Sequence, residues 1–309
     1  MSRNRLKLGV LSITKESVME QLIQNWTIKN VAPITIRNYR KVWDYFTEWY
    51  KGDLLDVSSF TVGNWILYLK QKNLTITSIN SYLTNLRTIV NYMAAEGMIK
   101  PIKVKHLKQQ DPIKETYTDD ELKKLLVKPD KRKCTFTEFR NWTIINVLIG
   151  TGIRRGTLIC LKLSDLDLLN GFMSMSHTKN GKANVVPLSS SLLIILREYL
   201  LLSKLPADSF LFPDTYGNQM KPYRLSHVVA TYNRKHEVTK TSVHAYRHTY
   251  AKLMIMNGCD VFKLQKLLGH SSLEMTRRYV ELYSIDLKQG YDEINPLDRL
   301  VVNRKRIII

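Results

Sequence analysis

Six side chains in the second half of the chain are of types that can act together on a phosphodiester. They are Arg154, Lys179, His244, Arg247, His270 and Tyr279. Breaking a phosphodiester requires positive charge near the nonbridging oxygens, a nucleophile, and a proton for the departing oxygen. Arginine supplies the charge through a planar fork that grips phosphate bidentately and stays charged at any working pH. Tyrosine can act as the nucleophile, and histidine and lysine can move protons.

The two histidines and the second arginine have spacings that suit one shared site. His244 and Arg247 lie three residues apart on a predicted helix, so both side chains project from one face toward one phosphate. His270 follows a glycine at a predicted helix end, where a short turn can aim its ring at the same oxygen. We therefore expect His270 to act as a hydrogen-bond donor.

The tyrosine and the lysine would carry the proton transfers. A phenol has a pKa of about 10, so Tyr279 needs nearby arginine charge and a base, for which His244 is the candidate. The departing oxygen is a poor leaving group. Lys179, on a predicted turn, is the candidate to protonate it, and Lys182 is the rival for this role.

Five local patterns in this region resemble the motifs of the tyrosine recombinases, the phage-integrase family, in the same order along the chain. Counting back from Val185-Val186-Pro187-Leu188, which resembles the closing strand of the family's hairpin, favours Lys179 over Lys182 as the family's mobile lysine. Any one pattern alone is more often a packing or surface feature, but all five together favour a catalytic set. The patterns are Thr151-Gly152-Ile153-Arg154, Lys179, His244-Ala245-Tyr246-Arg247-His248-Thr249, Leu268-Gly269-His270-Ser271-Ser272, and Tyr279 nine residues after His270.

The resemblance implies a site-specific recombinase that cleaves DNA to a 3′-phosphotyrosine and a free 5′ hydroxyl, with neither a metal nor a nucleotide cofactor. It also implies double-stranded DNA with inverted-repeat core sites as the partner, and a homotetramer on paired sites. An accessory DNA-bending protein is a further partner that such a system can use. One departure is Thr157, where the family commonly has a structural glutamate, beside an unusual Arg155-Gly156. This departure predicts a different brace for the local helix.

The elements that must position these residues are mostly helices. In the second half we predict helices over 137–150, 189–204, 224–235, 242–257, 260–268 and 272–283, and Thr118-Asp119-Asp120-Glu121 is a capping box that opens another. Residues 171–188 predict two short strands around Lys179-Asn180-Gly181-Lys182, in which Asn-Gly suits a hairpin turn. The fold class is therefore mainly α with a small β-sheet.

The first half predicts four helices over 14–30, 33–50, 58–72 and 75–96. Thr14, Ser58 and Thr75 are candidate N-caps, and Pro33 suits a first turn. In the fourth helix one apolar stripe at helical spacing predicts a core face, formed by Ile79, Leu83, Leu86, Val90 and Met93.

Two small polar faces in the first half are candidate DNA contacts. By itself each is more often a solvated surface, and the positive charge of the whole half favours DNA. The chain has a net charge of +20, with +9 over residues 1–110 and +11 over the remainder, so both halves favour a polyanionic partner. The candidates are Arg37, Arg40 and Lys41 in the second helix, Asn80, Thr84 and Arg87 in the fourth, and Lys182 in the hairpin.

The domains follow from these patterns and the resemblance. We expect a helical, SAM-like core-binding domain over 1–105, a linker over 106–116, a catalytic α+β domain over 117–285 and a C-terminal tail over 286–309. The first helix starts near Thr14, so no separate arm-site domain is expected before it. The tail ends in an apolar, basic stretch that either packs on its own domain or docks on a neighbouring protomer, and the resemblance favours the second.

Composition points to a cytoplasmic protein. The three cysteines lie far apart without a CxxC pair, which predicts neither a disulfide framework nor a zinc site. No signal peptide or membrane span is indicated. Two rival functions stay open on the sequence, a type IB topoisomerase with similar chemistry and a catalytically silent DNA-binding protein with the same fold. Strand exchange between two DNAs separates the first from a recombinase, and covalent adduct formation separates the second.

Overall fold

The computed structural model describes residues 14–109, 114–175 and 184–283. The chain divides into two compact units, and the division falls between Asp111 and Pro112. The predicted mobile lysine Lys179, its rival Lys182 and the C-terminal tail lie outside the described residues.

The described residues of the first unit form four α-helices, as predicted. They are α1 (Lys15–Ile28), α2 (Pro33–Trp49), α3 (Ser59–Gln71) and α4 (Ile76–Ala95). Thr14, Ser58 and Thr75 cap α1, α3 and α4 through hydrogen bonds from backbone N–H groups three residues on, and Pro33 begins α2. Each hydrogen bond satisfies a donor that the helix itself leaves unpaired. Local capping chemistry therefore set these helix starts.

The core of the first unit forms where the apolar stripes of its helices meet. All five residues of the predicted α4 stripe are fully buried, and they pack with Trp43 of α2 and Trp65 of α3. The connector after α4 adds Ile102 and Val104 to the same core. Residues up to Val104 therefore belong to the first unit by packing.

Asn80 differs from its predicted role as a DNA contact. Its amide nitrogen donates to the Leu107 carbonyl at 3.0 Å, and its amide oxygen accepts from the Leu107 N–H at 2.8 Å. Thr84 is hydrogen bonded to His106 on the same side of α4. Because both polar atoms of the amide are bonded to backbone, Asn80 holds the connector against α4. Sequence patterns could not show this, because the connector residues are 27 positions away.

The second unit is a helical assembly with a small sheet. Its helices are α5 (Asp119–Leu125), α6 (Phe136–Thr151), the single turn α7 (Arg155–Leu158), α8 (Ser190–Ser203), α9 (Pro222–Lys235), α10 (Val243–Met256), α11 (Val261–Leu268) and α12 (Glu274–Tyr283). The predicted capping box at Thr118 opens α5. The other six predicted helices are confirmed to within two residues at each end. The turn α7 was not predicted, because four residues are too few to show a period.

The sheet has three antiparallel strands in the order β1-β2-β3. Strands β2 (Phe172–Met175) and β3 (Asn184–Pro187) form the predicted hairpin, with Met173 opposite Val186. The two-residue strand β1 (Leu166–Asp167) pairs with β2 and was not predicted. Met173 and Val186 point into the core, so one face of the hairpin is anchored on the helices.

Helix α6 lies at the centre of the second unit. Apolar residues are buried around most of its circumference, including Phe139, Ile144, Ile145 and Leu148. It packs against α8, α9 and α10. A helix enclosed in this way is held on several sides, and its C-terminal end is therefore a rigid point from which to present a functional residue.

Candidate active site

The C-terminal end of α6 places the first arginine. Gly152 caps the helix with φ of +60°, and a Cβ there would lie 2.5 Å from Cδ1 of Tyr250. Only glycine fits a position that requires both a left-handed backbone and this close approach. Two residues later Arg154 begins α7 as its N-cap residue. The Thr-Gly-Ile-Arg sequence is thus a sharp turn that brings Arg154 back toward α10 and α11.

The two arginines meet at the C-terminal end of α11. Arg154 Nη1 donates to the carbonyls of Leu268 at 3.2 Å and Gly269 at 3.0 Å. Arg247 donates from Nη2 to the same Leu268 carbonyl at 2.7 Å and from Nη1 to the Gly152 carbonyl at 2.8 Å. Carbonyls at a helix C-terminus are unpaired within the helix and carry partial negative charge, so they suit two cations. A shared acceptor therefore fixes the two guanidinium groups side by side.

The electrostatics of this pair favour an anion. Burial, followed by the neighbouring charge of Arg154, lowers the pKa of Arg247 to about 10. Burial also lowers the pKa of Arg154. Across the described part of the chain, neither arginine forms a salt bridge with a carboxylate. Two adjacent, partly desolvated cations are strained by their mutual repulsion, and a bound phosphate would relieve it.

Helix α10 presents three functional groups on one face. His244, Arg247 and His248 are related by the i, i+3 and i+4 spacing. His248 Nδ1 lies 2.7 Å from the hydroxyl of Tyr279, and Arg247 also hydrogen bonds to Tyr279. His244 is exposed, and its pKa is lowered by desolvation and then by the charges of Arg155, Arg247 and Arg154. The predicted base His244 thus lies beside the arginines, whereas His248 contacts the nucleophile.

Tyr279 is held within its own unit by α12. Its side chain is only 3% exposed and packs in a small cluster with Tyr250, Ala251, Ile255, Leu264 and Leu268. The Nζ atom of Lys114 lies 4.3 Å from the centre of its ring. The hydroxyl therefore faces the polar site, while the ring is fixed by apolar packing and a cation–π contact.

His270 completes the group. It follows Gly269, which caps α11 with φ of +59°, and its Nδ1 lies 2.8 Å from the hydroxyl of Thr276 in α12. Burial, then the charges of Arg247, Arg154 and Lys114, lowers its pKa to about 3. The ring is therefore neutral near pH 7. A Thr276 hydroxyl that donates to Nδ1 leaves the proton on Nε2, where it can be donated to a bound oxyanion.

We expect replacement of Thr276 to disturb His270 without unfolding the site. Thr276→Val keeps the buried volume but removes the hydroxyl, and one neutral hydrogen bond is worth about 1 kcal/mol. Single-turnover DNA cleavage should slow by roughly fivefold, with DNA binding unchanged. Thr276→Ser, which keeps the hydroxyl, is the matched control and should cleave near the wild-type rate. Equal rates for the valine and serine variants would contradict this positioning role.

The structure brings five of the six predicted catalytic residues together and leaves Lys179 undescribed. Of the predicted DNA contacts, Arg37, Arg40, Lys41 and Arg87 are exposed on α2 and α4, and Lys182 is undescribed.

Sequence reasoning missed two neighbours of the nucleophile, His248 and Lys114. His248 had a usable signal, because it follows His244 by one helical turn. Lys114 had none, because it lies in an irregular connector.

At the position that departs from the family pattern, Thr157 is buried, and Arg155 Nη1 donates to the Ser226 hydroxyl at 3.1 Å. This bond braces α7 against α9.

The described residues offer neither a metal-binding cluster nor a membrane-spanning helix. No group of three or more His, Cys, Asp or Glu side chains there could hold a metal ion. No helix in the same ranges is both long enough and apolar enough to span a membrane.

Comparison with known protein families assigns both units. The phage integrase family matches residues 115–284, which include the six predicted catalytic residues and His248, and the phage integrase SAM-like domain matches residues 17–109. The first match covers more than half of the chain. The chain therefore belongs to the phage integrase family.

Individual relatives agree with this assignment along nearly the whole chain. Tyrosine recombinase XerA of Pyrococcus furiosus is 27% identical over 291 residues, covering 93% of this chain and 97% of the relative. The integrase of transposon Tn1549, solved in complex with a circular intermediate DNA, superimposes with a TM-score of 0.72 at 20% identity and covers 91% of this chain and 98% of that chain. A lambda integrase tetramer bound to a Holliday junction superimposes with a TM-score of 0.69 at 18% identity and covers 90% of this chain and 80% of that chain. The last two likenesses establish a shared fold.

Proposed function

We propose that this protein is a site-specific DNA recombinase that cleaves and rejoins DNA strands through a 3′-phosphotyrosyl intermediate on Tyr279. The observation that carries the proposal is the surroundings of the Tyr279 hydroxyl. It is hydrogen bonded to His248 and Arg247, and Arg247 shares the Leu268 carbonyl with Arg154. A nucleophile beside two paired cations is the arrangement that attack on a phosphodiester needs.

The proposed reaction proceeds by in-line displacement at phosphorus. The Tyr279 oxygen forms a bond to phosphorus as the bond to the 5′ oxygen breaks. Arg154 and Arg247 bind the nonbridging oxygens and neutralise the charge that builds on them. His270 donates a hydrogen bond to the same oxygens, and His244, which lies beside the arginines, is the base that the sequence predicts. Lys179 protonates the departing 5′ oxygen, and Lys182 is the alternative donor.

The rejoining step follows from the covalent intermediate. The phosphotyrosyl bond conserves the energy of the broken phosphodiester, so the 5′ hydroxyl of a second strand can attack it without a nucleotide cofactor. The paired guanidinium groups supply the positive charge for which other phosphoryl-transfer enzymes use a metal ion. The proposed enzyme therefore uses neither a nucleotide cofactor nor a metal ion.

The proposed partner is double-stranded DNA bearing inverted-repeat core sites, bound by a homotetramer on paired sites. The positive charge of both halves of the chain supports a DNA partner, and the exposed cations of α2 and α4 are candidate backbone contacts. The lambda integrase tetramer on a Holliday junction, which shares this fold, supports the assembly. An accessory DNA-bending protein is compatible with this scheme, and the proposed compartment is the cytoplasm.

The proposed task is integration, excision or resolution of DNA for a mobile element. The likeness of the fold to a transposon integrase supports this task. Within the chain, residues 1–105 would bind core DNA and residues 117–285 would carry out catalysis, with 106–116 as the linker. The tail, residues 286–309, would dock on a neighbouring protomer.

The test is strand exchange between two DNAs. Genomic DNA that becomes covalently attached to the wild-type protein is recovered and sequenced to find the core site. Two linear duplexes of different length that carry this site are then incubated with the protein. A recombinase produces two duplexes of exchanged length. Relaxation of supercoiled DNA without exchange would indicate a type IB topoisomerase, and site binding without any covalent adduct would indicate a silent DNA-binding protein.

A further inference from the structure

We propose that His248 is the residue that receives the phenolic proton of Tyr279 during cleavage. This inference rests on the proposed function and assigns the base at that site to His248, in place of His244, which the sequence predicts. The 2.7 Å contact from His248 Nδ1 to the Tyr279 hydroxyl carries it, because a general base must lie within hydrogen-bond distance of the proton that it removes.

The burial of Tyr279 gives this contact its importance. The side chain is 3% exposed, so bulk water has little access to the hydroxyl. A second hydrogen-bonding partner is Arg247, a guanidinium that donates and cannot accept a proton. His270 has its Nδ1 bonded to Thr276, and its ring centre lies 6.2 Å from the ring centre of Tyr279. His248 is therefore placed to accept the proton, whereas Arg247 and His270 are not.

The charges around His248 keep its ring neutral before DNA binds. Burial comes first, followed by the charges of Lys114, His244 and Arg247, and together they lower the pKa of His248 to about 4. Nδ1 can accept the hydroxyl proton only in this neutral form. A bound phosphodiester offsets the charge of Arg247 and Arg154, which makes imidazolium less costly. DNA binding would thus increase the basicity of His248 when the proton must be moved.

The step balances in protons and bonds. The Tyr279 oxygen bonds to phosphorus while its proton passes to His248 Nδ1. The bond from phosphorus to the 5′ oxygen breaks, and that oxygen takes a proton from Lys179 or Lys182. In rejoining, the attacking 5′ hydroxyl forms a bond to phosphorus and gives its proton to the lysine that was deprotonated in cleavage. The phosphotyrosyl bond breaks as His248 returns its proton to Tyr279, so the enzyme is restored.

The experiment separates proton transfer from positioning. In His248→Asn the amide oxygen and nitrogen are bonded to Cγ, as Nδ1 is in histidine. The asparagine side chain can therefore keep a hydrogen bond to Tyr279, but it cannot take the phenolic proton. His248→Ala removes both functions. His227→Asn, at an exposed histidine of α9, is the matched control. Single-turnover adduct formation on a nicked suicide substrate is measured between pH 6 and 9, beside gel-shift binding to the same site.

We expect both His248 variants to lose about 100-fold in cleavage rate at pH 7, because a positioned general base contributes about 10²- to 10⁴-fold. The deficit of His248→Asn should shrink as the pH approaches 9, since a phenol, with an ordinary pKa near 10, then ionises more readily without help. His227→Asn should follow the wild-type profile. DNA binding should be unchanged in all three variants.

Two outcomes would overturn the assignment. Wild-type rates in His248→Asn, with loss only in the alanine variant, would show that His248 positions Tyr279 and does not take its proton. A cleavage rate of His248→Asn that lies below the wild-type rate by the same factor at every pH would lead to the same conclusion. Should the asparagine variant fail to bind DNA, His248→Gln takes its place in the comparison. Absence of an adduct from the wild-type protein would overturn the recombinase proposal itself, and with it this role.

Discussion

Tyr279→Phe should bind its DNA site with unchanged affinity and form no covalent adduct with a nicked suicide substrate. The phenol oxygen is the atom that bonds to phosphorus in the proposed reaction, so its removal abolishes cleavage and does not merely slow it. The measurement is a denaturing gel that separates the protein–DNA adduct from free DNA. A detection limit near one thousandth of the wild-type yield is sufficient.

The packing of Tyr279 makes phenylalanine a conservative change. The ring contacts Tyr250, Ile255 and Leu268 and keeps these contacts without its hydroxyl. The substitution removes the hydrogen bonds of the hydroxyl to His248 and Arg247. Tyr216→Phe, at a tyrosine that is 88% exposed, is the matched control and should form adduct normally. An adduct at the wild-type level in Tyr279→Phe would disprove the assignment of the nucleophile.

Removal of either arginine should give the second largest effect. Arg154→Ala and Arg247→Ala should each slow cleavage by roughly 100-fold or more, since loss of one preorganised transition-state donor costs about 10²- to 10³-fold. DNA binding should weaken far less, because it depends on many phosphate contacts. Single-turnover cleavage and gel-shift titration measure the two effects separately. Rates within a few-fold of wild type would show that neither arginine holds the scissile phosphate.

The structure predicts that the two arginine variants differ in stability. Arg247 is buried and donates to Gly152 and Leu268, so its removal leaves two carbonyls without that donor. Arg154 is half-buried, and its loss should cost less. Arg197→Ala, which removes an exposed guanidinium of α8 that donates to the Leu168 carbonyl, is the control for loss of charge far from the phosphate. Thermal denaturation of all three variants should therefore accompany the kinetics.

Most of the fold could be predicted because its signals are local. The capping residue Thr14, the first-turn Pro33 and the buried α4 stripe are each read within a few residues of one another. The two missed elements, α7 and β1, contain four and two residues. At that length there is no period to detect, and only contacts with neighbouring elements decide the conformation.

The sequence by itself determined which residue types serve the site, the order in which they occur and the helices that carry them. Tertiary structure decided how they are paired. The bond from Arg154 to the Leu268 carbonyl joins residues 114 positions apart, and the bond from His248 to Tyr279 joins residues 31 apart. Both His244 and His248 lie on one face of α10, so periodicity could not separate them. The packing of α12 selected His248, because the direction in which that helix lays Tyr279 against α10 depends on apolar contacts that no local pattern encodes.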